Sequence, residues 1–262
     1  MQKKLIDFSK YSSIKIGPKV EVAVIEDENE IDESFLERYF LVGGANNLLV
    51  SPTPPPLATL GKNFDFIKIE ENCLRVGAAV KTGRLLSFAK KNDIANLEFI
   101  AKLPGTIGGM LAMNAGVKSY EIFNIIKRIK INGKWKSKEQ IEHGYRFAKL
   151  DGVATEVELE LQKGYSEELK NELLALRNNQ PKEPSAGSAF KNPVGDYAGR
   201  LIEAVGLKGK RVGDMAFSEV HANFLVNLGN GSFLEAKELL DLAKKRVFEE
   251  FNVLLKEEIK II

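Results

Sequence analysis

Two side-chain-poor turns stand about sixty residues apart in this chain: VGGANN at 42–47 and LPGTIGGMLAMNAG at 103–116. The second sets Pro104, Gly105, Gly108, Gly109 and Gly116 within thirteen residues and carries no charge. Removing side chains lets backbone N–H groups converge on an anion, which is how peptide nests bind phosphate. Neither turn has the GxGxxG pattern of a dinucleotide fold or the GxxxxGK pattern of a P-loop, so those two nucleotide sites are excluded. A hairpin turn or a helix cap explains VGGANN equally well. Taken together, with Asn114 and an apolar surround, the two turns suggest a long ligand bearing phosphates and a flat ring system. A dinucleotide cofactor has that shape.

Other reactive residue types are scarce. The one cysteine, Cys73, alternates with Arg75 in FIKIEENCLRVGAAV, which reads as a strand position rather than a nucleophile, and a single cysteine fits a reducing compartment. Two histidines, His143 and His221, and no CxxC pair are too few for a metal centre, so none is expected. The net charge of +2 is the small difference between 38 basic and 36 acidic residues. That argues against a surface built to coat nucleic acid, while leaving room for a local basic pocket. MQKKLIDFSK lacks the apolar core of a secretory leader, and no apolar run reaches the roughly 18 residues of a membrane span. A cytoplasmic monomer without membrane insertion is expected.

The elements that must hold these turns follow from periodicity. Val20, Val22 and Val24 alternate along a half-buried strand, FLVGGANNLLVS runs into and out of its turn, and PTPPP at 52–56 makes a stiff connector. FIKI and CLRV form a hairpin across EEN. Thr82 is the expected N-cap of a helix through Asn92, with Leu85, Leu86 and Ala89 inward. Asn132-Gly133 signals a type I′ hairpin. Val157, Leu159 and Leu161 oppose Glu156, Glu158 and Glu160 on a further strand. From Ser166 helices dominate: a stripe of Leu169, Leu173 and Leu176 closed by Pro181, a helix capped by Asp196 and ended by Gly206, and a third opened by a Ser232–Glu235 capping box with Ala236, Leu239, Leu240, Ala243 and Val247 inward. The chain divides near residue 163, with a second break near 56.

LPGTIGGMLAMNAG resembles the IPGTxGGxxxMNAG signature of the UDP-N-acetylenolpyruvoylglucosamine reductases, the MurB-type flavoenzymes of peptidoglycan synthesis. VGGANNLLVS is similar to their GGGSNLLVS turn, and QPKEPSAGSAFKNP (180–193) to their QPxxxPSAGSxFKNP. AGRLIEAVGLKGKRVGDMAFSEVHANFLVN (198–227) and the closing LKEEIKII also resemble family segments, in the family's order from about residue 12 onward. The compact stretch between Tyr145 and Ser188 looks like the shorter subtype.

The resemblance implies an α+β fold: a vanillyl-alcohol-oxidase/PCMH-type FAD-binding module over 1–163, in subdomains of about 1–56 and 57–163, followed by an α+β substrate-binding domain over 164–262. It implies non-covalent FAD reduced by NADPH, and reduction of UDP-N-acetylglucosamine enolpyruvate to UDP-N-acetylmuramate with hydride from flavin N5. The cofactor would lie against Gly43, Gly44, Ala45, Asn46, Asn47 and Leu48 on one side and Pro104, Gly105, Thr106, Gly108, Gly109, Asn114, Ala115 and Gly116 on the other. Ser188 takes the family's proton-donor position, Arg146 in GYRF that of the carboxylate-binding arginine, and Glu258 that of the closing glutamate. Tyr145, Arg177, Lys191, Asn192 and His221 are candidates for the sugar nucleotide. Each has an ordinary alternative: Ser188 as a turn serine, Arg146 as a surface charge, Glu258 as a solvated charge one register from Glu257, His221 as an interior histidine.

The chain departs from the pattern at three places: Ala148 replaces the serine of YRxS, Asn46 that of GGGSN, and Lys102 a glycine before Leu-Pro-Gly. Two rival readings stand beside the reductase: an alcohol or lactone oxidase on the same flavin fold, and a nucleotide-sugar-binding protein without chemistry. The oxidase reading leaves GSAFKNP and HANFLVN without a purpose.

Overall fold

A computed structural model describes residues 1–262. It falls into two compact units, each assembled from separated stretches: 1–4, 21–44 and 55–178 in the first, 5–20, 45–54 and 179–262 in the second. These boundaries differ from a simple break at residue 163. The helix Glu167–Ala175 packs against the short Glu98–Ile100 turn and buries Leu173 in the first unit's core, which carries that unit to residue 178.

The first unit is built on a five-stranded antiparallel sheet in the order Lys134–Ser137, Ile126–Ile131, Ala154–Glu160, Cys73–Gly77, Ile67–Glu70. Both expected hairpins form. Asn132 and Gly133 take φ +46° and +73°, the two positive values that a type I′ turn requires. One sheet face contributes Leu74, Val76, Ile129, Val157 and Leu159 to an apolar cluster closed by the helices Thr82–Lys91 and Ile107–Met113. Thr82 is that first helix's opening residue, not its cap; Lys81 occupies the cap position without a side-chain bond.

The opposite face carries the alternating glutamates, yet it is shielded. Glu156 and Glu158 are only 7% and 5% exposed. Glu156 binds Arg75 at 2.6 Å and Lys130 at 3.3 Å, and Glu158 takes two bonds from Arg128 at 2.6 and 2.8 Å. Trp135 lies under both guanidiniums, 4.7 Å from Arg128 and 5.7 Å from Arg75. Cross-strand register makes this possible, because Glu158 sits opposite Arg128 and Arg75. Cys73 lies at the edge of this face as a strand residue. Burial, then the charges of Glu158 and Glu70, push its thiol up and keep it protonated.

The second unit has a four-stranded sheet ordered Ser185–Ser188, Phe224–Asn227, Met215–Phe217, Arg211–Val212. The long helix Phe233–Phe251 packs on it through the expected stripe of Ala236, Leu239, Leu240, Ala243 and Val247, all fully buried, behind the expected capping box. Two other helix expectations shift. Asp196 does not cap the Ala198–Ala204 helix as expected from its place; it instead pairs with Arg200, which with the Tyr197 N–H lowers its carboxyl to about 2. Leu176 falls beyond the end of Glu167–Ala175 and is exposed.

The buried carboxylate of Glu156 gives the first prediction. Glu156→Ala leaves Arg75 and Lys130 without their shared partner in a shielded place and should cost about 2–4 kcal/mol in urea unfolding. Removing the exposed Arg38–Asp32 pair should leave the midpoint unchanged.

Candidate functional site

The glycine-rich stretch folds into the short helix Ile107–Met113, capped by Thr106, whose Oγ1 accepts from the Gly109 N–H at 3.3 Å. Its opening is sewn to the segment that follows the Cys73–Gly77 strand: Ile107 donates to Val80 O at 2.9 Å and Gly108 to Ala78 O at 2.8 Å. What crowds this backbone is largely the protein itself. A Cβ on Gly43 would lie 2.4 Å from Thr106 Oγ1, one on Gly108 3.2 Å from Ala78 O, and one on Gly116 2.0 Å from Tyr120 O. Gly109 differs, since an added Cβ would meet only Thr106 Oγ1 at an ordinary 3.6 Å.

Backbone donors not spent on the protein lie in the other turn. Ala45 takes φ +50°, and none of the N–H groups of Gly44, Ala45 and Asn46 donates to another protein atom. Successive unspent amides around a left-handed residue form a nest suited to phosphate oxygens. The residues present therefore fit a diphosphate-bearing cofactor. Asn114 is different. It ends the glycine-rich helix at φ +42°, is 1% exposed, and spends its side chain on Glu121, Gly144 and Phe123.

Arg146 occupies the corner of a tight hairpin in which His143 pairs with Ala148 and Gly144 with Phe147. Its φ is +56°, costly for a residue with a Cβ, and its Nη2 donates to Gly116 O at 2.9 Å. Tyr145 lies 5.2 Å beneath the guanidinium with its ring half exposed. Arg177 completes a basic pair. Burial, then the charge of Arg146, draws its pKa down, and its buried Nε has no hydrogen-bond partner. Two guanidiniums in one another's field call for an anion.

In the second unit, Ser188 ends the Ser185–Ser188 strand opposite Phe224. The chain continues as Ala189–Lys191 alongside Lys256–Ile259: Glu258 N donates to Ala189 O at 2.9 Å, Lys191 N donates to Lys256 O at 2.8 Å, and Phe190 bridges Glu257. The two closing glutamates have different surroundings. Glu257 is bound by Lys244 at 2.6 Å; burial pushes its carboxyl up, but that bond, its own backbone N–H and the charges of Lys244 and Lys237 together bring it below the ordinary value. The backbone of Glu258 runs beside the residue following Ser188. Asn47 belongs to the same cluster, its Nδ2 donating to Glu258 O at 2.8 Å, while Leu48 pairs with Lys260.

His221 and Asn192 have local duties. His221 accepts from the Asn223 N–H at 3.2 Å through Nδ1, packs edge-on to Phe224 and is held neutral by burial. Asn192 Oδ1 accepts from Ala198 N at 3.1 Å, at the start of a helix. Asn223 was not singled out from the sequence. It is 3% exposed and clamps Phe190 with both ends of its amide, Oδ1 from Phe190 N at 3.0 Å and Nδ2 to Phe190 O at 2.8 Å. Only its place two residues after His221 in HANF marked it.

A protein from Helicobacter hepaticus named UDP-N-acetylenolpyruvoylglucosamine reductase is 46% identical over 262 residues, spanning 100% of both chains. The chain belongs to the UDP-N-acetylenolpyruvoylglucosamine reductase family. A Campylobacter jejuni protein of the same name is 46% identical over 265 residues, covering 98% of this chain and 100% of its own. The family's C-terminal domain model matches residues 180–262. The crystal structure of UDP-N-acetylenolpyruvylglucosamine reductase from Thermus caldophilus superposes with a TM-score of 0.85 at 31% identity, covering 100% of this chain and 99% of that one. The α+β class expected for the chain is the one it shares with that structure.

The glycines can be sorted by substitution. Gly116→Ala forces a Cβ into a carbonyl and should lower the thermal midpoint by about 3–10 °C. Gly109→Ala should melt with the parent protein, because its nearest neighbour leaves room. Differential scanning calorimetry checks both.

Proposed function

We propose that this protein is an NADPH-dependent flavoenzyme that reduces the enolpyruvyl ether of UDP-N-acetylglucosamine enolpyruvate to UDP-N-acetylmuramate, an oxidoreductase of peptidoglycan synthesis. The observation that carries this reading is the 46% identity over the whole length of a reductase of that name. The basic pair Arg146 and Arg177 supports it independently, since both reactant and product are anions.

Gly43, Gly44, Ala45, Asn46, Asn47 and Leu48 would hold non-covalent FAD, the unspent amides of 44–46 facing its diphosphate. Pro104, Gly105, Thr106, Gly108, Gly109, Ala115 and Gly116 would form the second wall, with Gly109 the position that has room to spare. When bound, the flavin supplies relay of a hydride from NADPH to the terminal carbon of the enol ether. Negative charge then develops on the adjacent carbon and spreads into the substrate carboxylate. Arg146 binds that carboxylate and lowers the barrier through charge that exists before the reaction begins. Arg177, in the field of Arg146, adds to the same potential or meets the UDP diphosphate. Ser188 donates the proton that the carbon requires, a role in which a weak acid serves because the acceptor is a developing carbanion. Glu258, on backbone hydrogen-bonded to the residue after Ser188, acts beside it on the same centre. Tyr145, Lys191, Asn192 and His221 are assigned to the sugar nucleotide, the last two through the local structure they cap and pack.

Purified protein should be yellow, be bleached by anaerobic NADPH and regain its colour on adding UDP-N-acetylglucosamine enolpyruvate. Recovery only on admitting air would favour the oxidase, and protein that neither carries nor takes up FAD would overturn both enzymatic readings. Ser188→Ala should leave reduction by NADPH nearly intact while slowing the second step about 10²- to 10⁴-fold in stopped-flow measurements. Equal losses in both steps would make Ser188 structural.

A further inference from the structure

The geometry points to Asn114 as a positioning residue for Arg146, with Glu121 fixing the orientation of its amide. The motif assigns Asn114 to the cofactor, but its side chain is buried and committed elsewhere. Nδ2 donates to Glu121 Oε2 at 2.8 Å and to Gly144 O at 3.1 Å, and Oδ1 accepts from Phe123 N at 3.2 Å. Both donors of the amide and one of its acceptor sites are thereby used. Glu121 is an acceptor only, so it decides which end of the amide faces Gly144.

Gly144 lies two residues before Arg146 in the same hairpin, and Arg146 itself donates to Gly116 O. The hairpin is thus fastened at two points to one short segment, Asn114–Gly116, which directly follows the glycine-rich helix. That segment has no slack. Asn114 holds the left-handed conformation that ends the helix, and a Cβ on Gly116 would strike Tyr120 O. Glu121 arrives from the facing strand through its pairing with Gly116. Ala148, at a position where the family carries a serine, contributes no hydroxyl to the hairpin. The strained corner that carries the arginine is kept in place by an amide clamp beneath it. Holding a long side chain to within a fraction of an ångström through a second layer of hydrogen bonds is what transition-state charge stabilisation needs.

What Arg146 binds rests on the reductase reading; the clamp on its hairpin does not. The test uses full-length protein and the near-isosteric Asn114→Asp. The new carboxylate faces Glu121 and the Gly144 carbonyl, three acceptors without a donor. Hydrogen–deuterium exchange over residues 143–149 should accelerate at least tenfold, with exchange in the Ile126–Ile131 and Ala154–Glu160 strands unchanged. With FAD bound, flavin reduction by NADPH should stay within about twofold, while kcat/KM for the enolpyruvyl substrate falls about 10- to 100-fold, the scale of one or two buried hydrogen bonds lost. Adding Glu121→Gln restores a donor and should recover much of both losses. Unchanged exchange at 143–149 overturns the clamp, whatever the enzyme's substrate. Faster exchange with equal losses in both half-reactions, or with no rescue by Glu121→Gln, overturns the positioning role. Parent protein that fails to react with the substrate sinks the reductase reading alone, and the exchange result still decides the clamp.

Discussion

Everything in the first unit's candidate site turns on how closely Thr106 approaches the backbone of Gly43. Its Oγ1 stands 2.4 Å from where a Cβ on Gly43 would be, and the same oxygen accepts the Gly109 amide that starts the glycine-rich helix. One hydroxyl therefore serves as cap and as spacer between two stretches sixty residues apart. Any larger group at residue 43 would have to push the helix start away from the Ala78 and Val80 carbonyls to which it is bonded. The absence of a side chain is the structural element here, as real as a salt bridge. The turn is held through its carbonyls and side chains, as where Ser13 N donates to Ala45 O and Asn46 Nδ2 donates to Ser13 Oγ, and the N–H groups at 44–46 stay unspent.

Charge is handled in two contrasting ways. On the outer face of the five-stranded sheet every buried carboxylate meets a guanidinium or ammonium, and Trp135 covers the arginines, so the face is balanced within itself. Arg177 is treated oppositely. Burial and a like charge act on Arg177, and no carboxylate offsets them. A buried charge without compensation costs stability.

Much of the architecture was legible in the sequence, for identifiable reasons. The Asn132-Gly133 hairpin, the Ser232–Glu235 box and the apolar stripe of the last helix are local signals, and each decided its own structure. The burial of Glu156 and Glu158 was not legible, because alternation cannot reveal that Arg75 and Arg128, on other strands, will cover them. Asp196 has the composition of a cap, yet Arg200 one turn later competes for the same oxygens. The site residues were legible only as motif positions. Which of them touch one another depends on pairings between distant segments, as with the register that sets Glu258 beside Ala189 while Glu257 turns to Lys244. Asn114 and Asn223 read as ligand contacts or as nothing, and their clamping roles emerge only with the hydrogen bonds drawn.

The bond from Asn47 to Glu258 spans 211 residues, and Leu48–Leu49 finds its strand partner only in Lys260–Ile261. On a ribosome, the Leu48–Leu49 strand therefore waits for its partner through the synthesis of nearly all that follows. A chain so wired gains little from vectorial assembly of its second unit, and folding there must pay for closure of a very large loop before any native ladder rewards it.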